Sequence, residues 1–167
     1  MKIKKRTLVG AKKALQTRIR NANSGKSDPM TRTEFRLLVC GSRDWPEDKA
    51  DVIERWMFEA ISKYAGGNLD NMLVIVGEAD GADKMAHYYC HAVLGVACAQ
   101  FHAPWEQHRR DYGNPRAAGP KRNGWMLRWG QPDYVLAFHP YIINSRGTKN
   151  LVEQARKMKI PVKIVEK

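Results

Sequence analysis

The stretch Val76-Gly77-Glu78-Ala79-Asp80-Gly81-Ala82-Asp83 decides the fold, because an apolar run ends in it and a helical pattern begins in it. The run before it is Met72-Leu73-Val74-Ile75-Val76, and the helical pattern continues from Lys84. In α/β proteins, glycines between a buried strand and the next helix form loops that bind phosphate or nucleotides. The stretch therefore predicts a strand-to-helix loop that faces a ligand.

Two further loops share this layout. Val39-Cys40-Gly41-Ser42-Arg43-Asp44 follows another apolar run, and Ser145-Arg146-Gly147-Thr148 opens another helical pattern. Because ligands of open parallel sheets bind outside the carboxyl ends of the strands, we expect the three loops to line one pocket.

Strands and helices alternate from residue 36 onward. We predict strands near 37–40, 72–76, 96–101, 134–138 and 162–165, and helices over 46–64, 81–94, 120–129 and 147–158. Residues 105–118 are polar and are predicted to form a loop. Continuously apolar strands indicate burial on both faces, so we predict an α/β fold, a three-layer Rossmann-like doubly wound sheet of about five parallel strands.

The basic charge is concentrated in the first part of the chain. The whole chain carries +12, and residues 1–29 hold nine Lys or Arg residues against Asp28 alone, which is +8. We therefore predict a basic, flexible extension over 1–35 and one domain over 36–167. Two interpretations of the extension stay open, an arm that binds nucleic acid or a partner and a solvated tail; Met30, as an alternative start, favours the tail.

Cysteines, histidines and hydropathy indicate an ordinary cytoplasmic protein. Cys40, Cys90 and Cys98 form no C-x-x-C pair, so neither disulfides nor a zinc site are expected. His87 and His91 are four residues apart but lack the Glu of H-E-x-x-H, so no metal site is predicted. No apolar run reaches the roughly 18 residues that a membrane span requires, and the basic start is not followed by a signal-peptide core.

Phosphate binding is predicted where cations and helix starts meet the strand ends. Gly41 lets a ligand approach the backbone, Ser42 offers a hydroxyl, and Arg43 can bind phosphate with two hydrogen bonds. Arg122 and Asn123 lie where a helix is predicted to start; a cation there opposes the helix dipole, and an anionic ligand would offset this. The amides and hydroxyls of Ser145, Arg146, Gly147 and Thr148 suit an anion at the next helix start.

The carboxylates predict a different role. Glu78, Asp80 and Asp83 lie in a loop whose glycines, Gly77 and Gly81, let backbone amides converge. Three carboxylates disfavour a polyphosphate and suit ribose hydroxyls, a divalent cation or helix capping instead. We assign Asp44 with Glu78 and Asp80 to the ribose or base side of the pocket.

Taken in order, these motifs resemble the SLOG superfamily, which includes the LOG phosphoribohydrolases and DNA-processing protein A. The YspA/YpsA-related branch is the most similar, through Cys40-Gly41-Ser42-Arg43-Asp44-Trp45, Gly77 to Asp83, Pro104-Trp105, Gly119-Pro120-Lys121-Arg122-Asn123 and Arg146-Gly147-Thr148. The resemblance covers about residues 36–165. It implies a Rossmann-like domain that binds nucleotides or nucleotide-derived ligands, in a family of phage and bacterial proteins tied to nucleotide signalling or defence.

The LOG enzymes of this superfamily imply a mechanism in which an arginine and a glutamate cleave the N-glycosidic bond of a nucleoside 5′-monophosphate. Arg122 matches the position of their arginine, but Leu151 stands at the position of their glutamate. Glu153 comes two residues later, about 200° around a helix, so we expect it to face away. The catalytic candidates are therefore Arg122 and, if its loop reaches the same sugar, Glu78.

Three functions follow as hypotheses. The first is a sensor or binding domain for a nucleotide-derived ligand, the second a nucleoside 5′-monophosphate N-glycosidase, and the third a DNA-binding protein that uses residues 1–29. The tryptophans Trp125 and Trp129 suit either a homodimer interface or the core.

Overall fold

The computed structural model describes residues 34–166, and it contains one sheet of five parallel strands in the order β3-β2-β1-β4-β5. This confirms the predicted three-layer α/β, Rossmann-like fold. The strands are β1 (Phe35–Gly41), β2 (Met72–Gly77), β3 (Ala97–Phe101), β4 (Tyr134–Phe138) and β5 (Val162–Val165). The α-helices are α1 (Ala50–Tyr64), α2 (Ala82–Tyr89), α3 (Trp105–Tyr112), α4 (Ala118–Arg128) and α5 (Gly147–Lys157).

Each central strand is buried on both faces. In β1, Leu37 and Val39 join a core cluster with the buried faces of α1 and α2, whereas Leu38 and Cys40 join a second cluster with α4 and α5. Side chains alternate between the two faces of a strand, so a continuously apolar strand requires helices on both sides. The sheet is therefore the middle one of three layers.

The strand order changes direction between β1 and β4. From β1 the chain proceeds to β2 and then β3 on one side, and later returns to place β4 and β5 on the other. Leu37 to Gly41 pair in register with Tyr134 to Phe138 across this boundary. The connections after β1 and β4 leave in opposite directions, which opens a crevice at the carboxyl ends of these two strands.

The prediction of a loop over 105–118 is wrong. Trp105–Tyr112 is a helix, and a 3-10 turn follows over Pro115–Ala117. The only buried residue of this helix is His108, so the sequence shows no apolar stripe with helical spacing. The helix was missed because hydrophobic periodicity cannot reveal a helix that buries a single polar side chain.

The start of α4 also differs from the prediction. The helix begins at Ala118, directly after the Pro115–Ala117 turn. Pro120 lies in its first turn, as predicted, but Lys121 and Arg122 are its fourth and fifth residues. The helix dipole acts mainly within the first turn, so its conflict with these cations is weaker than expected.

Other predictions concern the chain ends and surface. The proposed extension, 1–35, lies outside the described residues except for Glu34 and Phe35, so its interpretations stay predictions. Within residues 34–166, no helix is long and apolar enough to cross a membrane.

Trp129 is 65% exposed and stacks on Trp125 with ring centroids 5.2 Å apart, so these tryptophans form a surface pair at the end of α4.

Candidate functional site

A cavity of about 460 Å³ lies at the carboxyl ends of β1 and β4, where the strand order reverses. Its volume falls within the range of about 300–1,000 Å³ that is typical of small-molecule sites. The loops after β1 and β4 and the first turns of α4 and α5 supply most of its wall. The lining residues predicted from the sequence are Gly41, Ser42, Arg43, Asp44, Asp83, Arg122, Asn123, Ser145, Arg146, Gly147 and Thr148.

Backbone contact between the first two loops shapes one side of this site. The amide of Ala82 donates a hydrogen bond of 3.1 Å to the carbonyl of Ser42. Gly81 has a φ of +69°, and a Cβ there would collide with the carbonyl oxygens of Ser42 and Arg43. Glycine is therefore required at position 81 by both its conformation and its neighbours.

Arg122 extends from α4 toward the end of β2. A Cβ built on Gly77 would lie 2.8 Å from Cζ of Arg122, so the guanidinium lies against the backbone of this glycine. Its Nε is buried and has no hydrogen-bond partner among the described residues. A buried donor without a partner is costly, and an acceptor on a bound ligand would satisfy it.

Asp83 is the buried carboxylate of the site, with only 2% of its surface exposed. Burial raises its pKa to about 6, although the charge of Arg122 and the amides of Gly41 and Ala79 act in the opposite direction. The Gly41 amide donates to Oδ1 of Asp83 over 3.1 Å. Asp83 therefore links the β1 end to α2 and can change its charge near neutral pH.

The start of α5 presents backbone amides to the cavity. The Ser145 hydroxyl accepts a hydrogen bond of 3.0 Å from the Thr148 amide. The amides of Gly147 and Lys149 have no partner among residues 34–166. Such free amides, together with the positive end of the helix dipole, favour an anion at this point.

Asn123 holds the two helix starts together. Its side-chain amide donates to the Gly147 carbonyl over 3.1 Å and to Oδ1 of Asn150 over 3.2 Å. The side chain is 3% exposed. Although Asn123 lines the cavity, its side-chain NH2 group positions α5 against α4 and is not free to donate to a ligand.

Cations outnumber carboxylates around the cavity. Two carboxylates line the cavity, Asp44 and Asp83, and the raised pKa of Asp83 makes it easier to protonate. Four arginines line it as well: Arg43, Arg116, Arg122 and Arg146. Charge in a concave, partly desolvated site focuses the local potential, so this cavity attracts anions.

Two lining residues come from the segment that was predicted to be a loop. Trp105 begins α3, and Arg116 lies in the 3-10 turn that precedes α4. The Asn114 side chain accepts a hydrogen bond of 2.9 Å from the Arg116 amide, which fixes the start of this turn. The segment thus adds one aromatic ring and one cation to the wall of the cavity.

Glu78 does not line the cavity. Its carboxylate accepts a hydrogen bond of 3.1 Å from the Ala103 amide and contacts the ring of His102. Partial burial acts to raise the pKa of Glu78, but these two hydrogen bonds together with the charges of His102 and Arg122 lower the pKa below its usual value. The structure therefore directs this catalytic candidate toward the residues that follow β3, and its carboxylate is not part of the cavity wall.

Gly77, Asp80 and Gly81, which belong to the same loop as Glu78, also do not line the 460 Å³ cavity. Gly77 lies behind Arg122 and Asp83, and it packs against both. Asp80 and Gly81 line a second cavity of about 510 Å³ on the other side of the loops, where Asp80 is within 3.9 Å of Lys84. The three carboxylates of the loop consequently do not converge on a single divalent cation.

Leu151 lines the cavity and is 1% exposed. Glu153, two residues later on α5, is exposed and is not part of the wall. The prediction that Glu153 faces away is confirmed. Leu151 is therefore an apolar part of the cavity wall.

Cys40 and His139 also line the cavity and were not assigned to the site from the sequence. Cys40, near the end of β1, is buried, and burial raises the pKa of its thiol well above the usual value, which disfavours the nucleophilic thiolate. His139 follows β4 and accepts a hydrogen bond of 3.1 Å from the Tyr141 amide; burial lowers its pKa. The position of each at the carboxyl end of a predicted strand was the available signal.

Comparison of the chain with protein-family models, with curated proteins and with solved structures finds no match. The assignment of the site therefore depends on its position in the fold and on the chemistry of its own residues.

Proposed function

We propose that this protein binds a nucleotide or nucleotide-derived ligand in the 460 Å³ cavity and acts as a sensor or binding domain. The observation that carries the proposal is the buried Nε of Arg122, which has no partner among the described residues and lies in the wall of an arginine-rich cavity. The planar guanidinium carries several N–H donors, and two of them can donate parallel hydrogen bonds to two oxygens of one phosphate. Arg122 is the centre of the proposed phosphate site.

The start of α5 completes the proposed phosphate site. The amide of the lining residue Gly147 is free of protein partners in the described chain, and Thr148 lies in the same wall. A phosphate between Arg122 and this helix start would receive both charge and directed amide donors.

The remaining wall suits the sugar and base of a nucleotide. Asp44 is exposed at the rim and can accept hydrogen bonds from ribose hydroxyls. Trp105 offers an aromatic surface for a base, and Leu151 adds an apolar contact. The proposal agrees with the resemblance to the SLOG superfamily, but it places Asp44, and not Glu78 or Asp80, at the sugar.

The first test is to identify what the purified protein carries. The full chain is denatured, and released small molecules are identified by mass spectrometry. Calorimetry then measures binding of AMP, ADP-ribose, a cyclic nucleotide and inorganic phosphate. We expect at least one phosphate-bearing nucleotide to bind more tightly than adenosine, which lacks phosphate. Absence of binding by every member of this panel up to millimolar concentration contradicts the proposal.

A second function, N-glycosidic hydrolysis of a nucleoside monophosphate, is favoured by Asp83. This carboxylate lines the cavity near Arg122, and its pKa of about 6 suits proton transfer near neutral pH. Glu78 loses this role because it is directed toward His102 and Ala103.

Hydrolysis and binding are distinguished by the product. Incubation of the protein with AMP releases free adenine only if the enzyme hypothesis holds, and chromatography detects it. Release that disappears in Asp83→Asn supports the hydrolase. Binding of AMP without adenine release supports the sensor or binding domain.

A further inference from the structure

A cluster of three metal-ligating side chains lies outside the candidate cavity. His87, His91 and Cys98 each offer one ligand atom, and these atoms all lie within 4.8 Å of one another. His87 and Cys98 are half-buried and His91 is exposed. None of the three lines the 460 Å³ cavity, so this cluster is independent of the proposed nucleotide site.

The fold brings these residues together from two elements. His87 lies on α2 and His91 lies one turn later, in the π-helical turn Cys90–Leu94 that continues α2. Their imidazole rings have centroids 4.5 Å apart. Residues four apart share one face of a helix, so both imidazoles project in the same direction.

Cys98 reaches the same point from the edge of the sheet. It lies on β3, the outermost strand, paired in register with Val74 of β2. It packs against the core cluster formed with α1 and α2, and is therefore on the sheet face that α2 covers. The loop around Gly95, whose φ is +62°, reverses the chain between His91 and Cys98.

We propose that His87, His91 and Cys98 bind one zinc ion, with the fourth coordination position open to water. Two imidazoles and a thiolate are a ligand set that Zn²⁺ prefers, and three protein ligands with one open position are usual outside closed structural sites.

The geometry permits such a site after a small adjustment. Tetrahedral coordination with the usual Zn–N and Zn–S bond lengths places ligand atoms roughly 3.3–3.6 Å apart. The three ligand atoms lie within 4.8 Å of one another. Side-chain rotations that move these atoms by about 1 Å would bring them to the coordination distances. The exposed His91 can rotate freely, and the thiol proton of Cys98 leaves to solvent when the metal binds.

The expected consequence is a cross-link between α2 and the edge strand. The ion would join the end of α2, through His87 and His91, to β3, through Cys98. Because a metal that binds only the native state stabilises it, zinc should raise the midpoint of thermal unfolding with the logarithm of its free concentration once that concentration exceeds the dissociation constant.

The test uses the full chain without an affinity tag, because a histidine tag would itself bind the metal. Zinc is titrated against a chromophoric chelator, and Co²⁺ serves as a spectroscopic probe. We expect one ion per chain, a thiolate-to-cobalt charge-transfer band, and an increase in the melting midpoint with zinc. Cys98→Ser should abolish the charge-transfer band and weaken zinc binding by at least about tenfold.

His91→Gln tests the site without disturbing the core, because His91 is exposed. It should weaken zinc binding as Cys98→Ser does and leave the melting midpoint of the metal-free protein unchanged. His102→Gln is the matched control, because it removes an exposed imidazole outside the cluster. Binding that is absent, or that is equal in wild type, Cys98→Ser and His91→Gln, overturns the proposal.

Discussion

Arg122 and Asp83 converge on the same glycine. A Cβ on Gly77 would collide with Oδ2 of Asp83 and would lie 2.8 Å from Cζ of Arg122. The charge of Arg122 opposes the rise in the pKa of Asp83, yet the two groups form no ion pair within 4.0 Å. The guanidinium therefore acts on the carboxylate through its charge and not through a direct contact, and its Nε has no hydrogen-bond partner among the described residues.

Replacement of Arg122 should weaken binding of a phosphate-bearing nucleotide. Hydrogen bonds to charged groups contribute about 1.5–3 kcal/mol, so Arg122→Gln should lower the affinity for AMP by about 10- to 150-fold. Calorimetry measures the change. Arg128→Gln is the matched control, because Arg128 lies exposed on the same helix and outside the cavity. Equal losses in both variants would point to net charge alone and not to a site.

Asp83 should make the stability of the fold depend on pH. Its folded pKa of about 6 exceeds the ordinary value, so the native state binds this proton more tightly than the unfolded chain does. This carboxylate therefore lowers the free energy of unfolding as pH rises from about 4 to 7, through its folded pKa of about 6, by about 2–3 kcal/mol in total.

Asp83→Asn should remove that contribution and be more stable than wild type at pH 7. Urea unfolding at pH 4, 5, 6 and 7 measures the difference between the two proteins, which should grow between pH 4 and 7. Asp80→Asn is the control, because it removes an exposed carboxylate of the same loop. A constant difference between Asp83→Asn and wild type would show that Asp83 does not titrate in this range.

Gly81→Ala should destabilise the protein more than another glycine substitution with similar backbone conformation. Gly81 and Gly66 have φ values of +69° and +57°, but only Gly81 has backbone oxygens against its missing Cβ. We expect a loss of about 1 kcal/mol for Gly66→Ala and about 2–5 kcal/mol for Gly81→Ala. Chemical denaturation of both variants measures the free energies. Similar losses would mean that the loop contact adds nothing to the conformational cost.

Ser145→Ala should weaken the start of α5. The hydroxyl accepts the Thr148 amide over 3.0 Å, and loss of such a cap costs about 1 kcal/mol. Thermal or chemical unfolding measures the effect, and Ser145→Thr should retain most of the stability because it keeps the acceptor. If alanine and threonine variants behave alike, the hydroxyl does not cap the helix.

The sequence predicts those parts of the candidate site that follow from the order of strands, loops and helices along the chain. Gly41 to Asp44 and Ser145 to Thr148 each lie between an apolar strand and a helix, and parallel strands bring their carboxyl ends to one edge. The direction of an individual side chain was not predictable. Glu78 is directed to His102 and Ala103 because β3 ends beside β2, a contact that appears only after the sheet is assembled.

Position alone also could not distinguish Asp83 from Glu78 and Asp80. All three are carboxylates of one loop, but the first turn of α2 carries Asp83 under the β1 end, where the Gly41 amide meets it. Its burial and altered pKa follow from that packing and not from its neighbours in the sequence.

By itself, the sequence determined the parallel α/β sheet and the edge at which polar loops gather, because apolar runs and glycines act through local conformation and burial. Only the tertiary structure shows that Asp83 lines the cavity and that Glu78 does not. It alone also shows that Cys98 lies beside His87 and His91. The Gly77 to Asp83 loop is one continuous segment, yet its carboxylates face three environments. Their chemistry depends on contacts with β1, β3 and α4, which are distant along the chain and become neighbours only when the sheet forms.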